Sequence, residues 1–347
     1  MAGSSCIRPR SSVQADHSRY DPLLQYAAYY NFTVYPGNTY DFVPFNASIE
    51  AQMYNAMYGP GNCYDRTVDC YENGSDETCS TADNFCATEV ESVLDNIANR
   101  DEYDVRELQP DPFPPTFYVD YLNTPSVQTA LGAYTNFSES SPTVGNAFGS
   151  TGDDDRMDGT IGDMRGLVND NLTVVMYAGD ADYNCNWLGG QAVANTINAT
   201  GFSNAGYVNI TTSDGIVHGQ AKQAGAFTFV RIYESGHEVP FYQPLASLEM
   251  FERAIGAKDI ATGQIDVLPG SGYATVGSKE STYREGNATI QATVVDTDAI
   301  YNTTTDAPNP VNGTGLDQRK TASKAKGLWA KDVMRSRKVF KPSRRST

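Results

Sequence analysis

Residues 172–179 read Leu-Thr-Val-Val-Met-Tyr-Ala-Gly, and residues 226–233 read Ala-Phe-Thr-Phe-Val-Arg-Ile-Tyr. Each is a short, nearly continuous apolar run, the pattern of a strand covered on both faces in a parallel sheet. Each is followed by a helical pattern. Trp187–Ile197 follows the first, and Pro244–Ile255 (PLASLEMFERAI), amphipathic and opening on proline, follows the second. Strand, helix, strand, helix in this order predicts an α/β sheet whose chemistry lies on loops at the carboxyl ends of the strands.

Both of those loops carry reactive side chains. The first is Gly179-Asp180-Ala181-Asp182-Tyr183-Asn184-Cys185-Asn186-Trp187, and the second is Glu234-Ser235-Gly236-His237-Glu238-Val239-Pro240. An aspartate and then a histidine, one after each of two late strands, fit the last two members of the Ser, Asp, His order of an α/β-hydrolase. In that chemistry the imidazole takes a proton from a serine hydroxyl, while the carboxylate fixes its tautomer and stabilises the imidazolium. An aspartate after a strand also caps helices, and Gly-His occurs in turns. The two loops together, in this order, favour the catalytic reading, but the residues alone do not separate Asp180 from Asp182.

Upstream, Asp21–Phe32 has helical spacing, residues 33–100 read as irregular and rich in Tyr, Asn and Cys, and Ala87–Asn99 returns to helical periodicity. Prolines 110, 112, 114 and 115 precede a further helix predicted over Tyr118–Gly132. The region reads as a helical and loop insertion. Cys63, Cys70, Cys79 and Cys86 are spaced by 7, 9 and 7 residues, and this symmetry predicts nested bridges, Cys63 to Cys86 and Cys70 to Cys79. A zinc cluster competes, but no CxxC pair or nearby histidine supports it, and neither metal nor cofactor is expected. Glycosylation acceptors fall at Asn31, Asn46, Asn73, Asn136, Asn171, Asn198, Asn209, Asn287, Asn302 and Asn312, where chance gives about four. Sequons and cysteines together point to a secretory route, extracellular or vacuolar. Residues 1–20 show neither the basic start nor the apolar stretch of a signal peptide, so Met1 is not expected to be the original start.

Charge divides the chain. Residues 318–347 hold 11 basic residues and one acidic, a net of +10, which leaves −17 − 10 = −27 on the remainder. An acidic body of that size opposes nucleic-acid binding, and no apolar run is long enough to span a membrane. The basic tail reads as a solvated, disordered extension rather than a lipid- or nucleic-acid-binding patch.

The strings YAGDADYNCNWLGG (177–190) and YESGHEVPFYQPLASLEMFERAI (233–255), with YDPLLQY (20–26), YVDYLNTPSVQTALGA (118–133) and the nested cysteine spacing, resemble the serine carboxypeptidases, a secretory α/β-hydrolase family, in its fungal S1 type. The resemblance covers about residues 20–310. It implies the C-terminal part of an α/β-hydrolase core with a disulfide-bearing helical and loop cap insertion. By that resemblance residues 1–20 are a leader, 21–130 the cap, 131–277 the core, 278–317 an extension and 318–347 the tail. Asp182 is then the acid and His237 the base. Cys185 is similar to a free thiol lining the substrate site of some relatives, and Glu238 borders the subsite of the released residue. The implied substrates are peptides or proteins with a free C-terminus.

The chain also departs from the family. No serine has glycine two residues away on each side, and the Trp-Asn-Gly-Gly-Pro-Gly type loop, which in the family supplies an oxyanion donor, does not occur. The sequence is therefore expected to be N-terminally incomplete, catalytically inert as it stands, and poor at folding alone because its sheet has an open edge. A truncated, non-catalytic secreted glycoprotein that binds peptide or a partner is the alternative. A third reading uses another serine, such as Ser235 or Ser271, as nucleophile.

Overall fold

The computed structural model describes residues 21–110, 113–152, 160–268, 271–287, 289–295 and 299–309. The leader, the tail and Asn312 lie outside the described residues, as does the side chain of Asn73. Helices α1 (Asp21–Thr33), α2 (Ala47–Tyr58), α3 (Cys63–Asn73) and α4 (Asp76–Cys86) lead into two π-helical turns, Ala87–Glu91 and Leu94–Ala98. Helices α5 (Phe117–Leu122), α6 (Pro125–Leu131), α7 (Pro142–Thr151) and α8 (Thr160–Asn169) follow a proline-rich connection.

Residues 47–86 are thus largely helical where their composition predicts irregular chain, and most of Ala87–Asn99 is helical as its periodicity predicts. The buried stripe is written in cysteines and small polar residues rather than in aliphatics. On α3 it is Cys63, Thr67 and Cys70, and on α4 it is Cys79, Ala82, Asp83 and Cys86, none more than 1% exposed. Those spacings are helical. Disulfides Cys63–Cys86 and Cys70–Cys79, with Cα–Cα distances of 5.1 and 4.7 Å, close the pair of helices in the nested order. The starts are capped by side chains: Asn46 Oδ1 accepts from the Ser48 and Ile49 N–H groups, and Ser75 Oγ from that of Thr78. Over residues 118–132 the single predicted helix is broken in two. Thr124, which precedes Pro125, is extended (φ −70°, ψ 141°), as the proline ring requires.

The sheet comprises β1 (Val174–Gly179), β2 (Val208–Thr211), β3 (Val217–Ala224) and β4 (Phe227–Ile232) in the order β1-β4-β3-β2. Strands β1 and β4 are the two apolar runs, parallel and adjacent, with Val174 opposite Phe227 and Gly179 opposite Ile232. Strands β2 and β3, which no apolar run announces, make the sheet mixed: β3 adds antiparallel to β4, and β2 antiparallel to β3. Helix α9 (Trp187–Ile197) follows β1, and the short α10 (Val239–Tyr242) and then α11 (Pro244–Ile255) follow β4. Alternation along the strands divides the core. Val174, Met176, Ala178, Phe227 and Phe229 pack with α1 and α9, while Val175, Val230 and Ile232 pack with Met250 and Ala254 of α11. A last hairpin, β5 (Ile300–Asn302) and β6 (Ala307–Asn309), stands apart from this sheet.

No described helix is long and apolar enough to cross a membrane. Among the sequon asparagines whose side chains are described, Asn46, Asn136, Asn171, Asn198, Asn209 and Asn287 are exposed, and Asn31 and Asn302 are half-buried.

Candidate active site

Parallel pairing of β1 with β4 sets their carboxyl ends side by side, and the two loops are then knitted by backbone hydrogen bonds. Asp180 N–H donates to Ile232 O at 2.9 Å and Ala181 N–H to Ser235 O at 2.9 Å. Gly179 is required at this seam, because a Cβ there would lie 2.3 Å from the carbonyl oxygens of both Ser235 and Gly236.

Asp182 and His237 meet across the seam. Asp182 Oδ2 is 3.0 Å from His237 Nδ1, and its Oδ1 accepts the Cys185 N–H at 3.0 Å. The carboxylate is fully buried, whereas the imidazole is 27% exposed. A buried carboxylate with both oxygens engaged fixes the ring orientation. It favours the tautomer with hydrogen on Nδ1, so proton-accepting chemistry falls to Nε2.

Asp180 points elsewhere. Its Oδ1 accepts from Tyr40 Oη at 2.7 Å and its Oδ2 from Arg231 Nη2 at 3.0 Å, both ion-pair side chains being wholly buried. The Arg231 guanidinium also donates to Ser281 Oγ (2.9 Å) and Tyr283 O (3.0 Å), and lies 4.4 Å over the Trp187 ring. Glu285 lies 3.6 Å from Arg231. Burial, together with the neighbouring Asp180, pushes its carboxyl up to about 10, so it stays protonated through neutral pH. Asp180 is in this way a structural acid, which distinguishes it from Asp182 as residue type and spacing do not.

A second clamp comes from residues 101–107. Glu102 O accepts from the Tyr183 and Asn184 N–H groups (3.1 and 2.9 Å), Ala181 O accepts from Val105 N–H (2.9 Å), and Tyr103 O accepts from His237 N–H (2.9 Å). The Tyr103 ring stands edge-on to the imidazole, with centroids 5.1 Å apart. One segment therefore holds both the acid loop and the base loop. Sequence reasoning passes over it because backbone carbonyls do the holding and leave no pattern in the side chains.

The remaining candidates separate. Cys185 is 4% exposed and disulfide-bonded rather than free, which corrects the free-thiol expectation. For the same reason the grouping of Asp182, Cys185 and His237 within 4.8 Å is not a metal centre: a disulfide sulfur is no thiolate, and the other two groups engage each other. Glu238 is exposed beside His237. The Ser235 hydroxyl is buried and donates to Gly236 O at 3.2 Å.

Fold and site together define an α/β protein with a carboxylate–imidazole pair at the carboxyl ends of two adjacent parallel strands. The serine carboxypeptidase family model matches residues 18–257, and the chain belongs to that family. It is 39% identical to Carboxypeptidase S1 homolog B of Arthroderma otae over 262 residues, which is 71% of this chain and 40% of that protein. Over 244 residues it is 34% identical to Carboxypeptidase S1 of Penicillium janthinellum, covering 70% of this chain and 56% of the relative. The chain thus spans about half the length of the curated relatives it matches, or less. Among solved structures it is similar to Kex1(Δ)p, a prohormone-processing carboxypeptidase from Saccharomyces cerevisiae, with TM-score 0.46 and 18% identity over 68% of this chain and 52% of that one.

Proposed function

We propose that Asp182 and His237 are the acid and base of a serine-type carboxypeptidase site that hydrolyses the C-terminal bond of peptides or proteins through an acyl-enzyme. The observation that carries this reading is the 3.0 Å contact between a fully buried carboxylate and a partly exposed imidazole. In this role His237 accepts the serine proton and returns it to the leaving amine, while Asp182 stabilises the imidazolium. The nucleophile and oxyanion donors have no counterpart within these 347 residues, so His237 has no elbow serine to deprotonate and the chain by itself is inert. The disulfides of α3 and α4 fit an oxidising, secretory or vacuolar compartment.

A fluorophosphonate probe tests the inert state. The purified chain is expected to label no more than a heat-denatured control. Stoichiometric labelling, mapped to Ser235, Ser271 or any other serine, would contradict it.

Glu238 is assigned to the subsite of the released residue, where its exposed carboxylate favours lysine or arginine. In a form that cleaves peptides, Glu238→Met is expected to lower the preference for basic over neutral released residues by about two- to fivefold, the worth of an exposed ion pair. An unchanged ratio of kcat/KM values removes Glu238 from that role.

A further inference from the structure

The hairpin of residues 299–309 lies against the base loop and is fastened there by one arginine. Its Tyr301 ring packs on Phe241 and Tyr242 of α10, with centroids 5.3 and 5.2 Å apart, and on Phe113 at 5.2 Å. Its Asp306 Oδ2 accepts from Arg106 Nη1 at 2.9 Å, and the same nitrogen donates to Glu234 Oε2 at 2.9 Å. The other side of the guanidinium clasps Asp104, with Nε to Oδ1 at 2.9 Å and Nη2 to Oδ2 at 2.7 Å. The side chains of Arg106, Asp104, Glu234 and Asp306 are only 4%, 0%, 26% and 15% exposed.

The charge of this cluster does not balance. One cation facing three ionised carboxylates leaves +1 − 3 = −2 in a largely desolvated site, which low dielectric strongly disfavours. The geometry supplies the remedy, for Glu234 Oε2 and Asp306 Oδ2 both accept from the one Arg106 Nη1 at 2.9 Å, which gathers the two carboxyls at a single nitrogen, and a proton held between them removes part of the excess charge. Burial raises Glu234 to about 7 against the opposing pull of Arg106, and it raises Asp306 as well.

Glu234 also sits at a sensitive point of the backbone. It is three residues before His237 and occupies the left-handed region at φ 49°, which is strained for a side-chain-bearing residue. The cluster holds it there. Asp180 also acts on Glu234, Tyr301 acts on Asp306 and Arg106, Tyr40 and Tyr242 face Arg106, and Glu285 acts on Tyr40. Of these, Asp180 is already paired with Arg231.

We propose that Arg106, Asp104, Glu234 and Asp306 form a proton-operated latch: with a proton shared between Glu234 and Asp306 the 299–309 hairpin is fastened over the base loop, and loss of that proton releases it. A carboxyl whose folded-state affinity for protons is raised contributes stability that is complete below its ordinary range and is lost as pH rises through the raised value. The latch is therefore closed in acid and open above about pH 7. None of this depends on the peptidase reading, because the readout is protection of the hairpin rather than cleavage.

Amide hydrogen exchange of the purified chain at pH 5 and pH 8, corrected for intrinsic chemical rates, tests it. Protection of residues 299–309 is expected to fall on the order of tenfold to a hundredfold at pH 8, while protection of α3 and α4 stays within about threefold. Glu234→Gln, which keeps a neutral hydrogen-bonding group, should retain at pH 8 the protection seen at pH 5, and Asp306→Asn should do the same. Wild-type hairpin protection equal at the two pH values overturns the latch. So does an equal loss across α3 and α4, which marks global loosening, or wild-type pH dependence persisting in both variants.

Discussion

Arg231→Met is expected to lower stability by about 3–5 kcal/mol, the cost of breaking one side of a buried ion pair. The reason lies in what stays behind. Asp180 is wholly buried and would lose its cation while keeping the Tyr40 hydroxyl at 2.7 Å, and the Tyr283 carbonyl and the Ser281 hydroxyl would each lose a donor at about 3 Å. Methionine also forfeits the cation's place 4.4 Å over Trp187 and 5.0 Å over Tyr233. Set against a total of about 5–15 kcal/mol for a folded domain, that loss corresponds to a fall of roughly 10 °C or more in Tm. Thermal or urea unfolding of the purified variant reads it directly. The double variant Asp180→Asn with Arg231→Met should recover about half of the loss, because no buried charge is left unpaired. A single-variant loss below about 1 kcal/mol would mean that the guanidinium is not the counter-charge of Asp180.

That ion pair also explains which parts of the site could be read from residues alone. Strands β1 and β4 were legible because both faces are covered, which forces nearly continuous apolar runs. The one intruder, Arg231 in the middle of AFTFVRIY, is the sign of a buried carboxylate partner, and Asp180 answers it. Once that acid is spent, Asp182 is the one left to face His237, a distinction that spacing could not make. Helices α9 and α11 were legible from the helical patterns that follow the two strands and from Pro244 at the first turn of α11, and Asn186 Oδ1 caps α9 by accepting the Gly189 N–H. Helices α3 and α4 were not, since cysteine, threonine and aspartate carry their buried stripe. Strand β3 (VHGQAKQA) was hidden for a related reason. Its close approach to β4 needs Gly219, where a Cβ would lie 2.2 Å from Arg231 O, and its buried residues Ala221, Lys222, Gln223 and Ala224 include no large aliphatic.

The role proposed for His237, oriented by Asp182, is that of a catalytic base once a nucleophile is supplied. The measurement closest to that claim supplies one. An N-terminal segment of a serine carboxypeptidase, carrying that family's G-x-S-x-G serine and oxyanion loop, is fused ahead of residue 21, and release of C-terminal residues from a peptide is followed. The fusion is expected to cleave. His237→Ala within it should lower kcat/KM on the order of 10⁴- to 10⁶-fold, and Asp182→Asn should lower it about 10⁴-fold, with folding unchanged by circular dichroism. A cleaving fusion in which His237→Ala retains activity within tenfold of the parent would contradict the account.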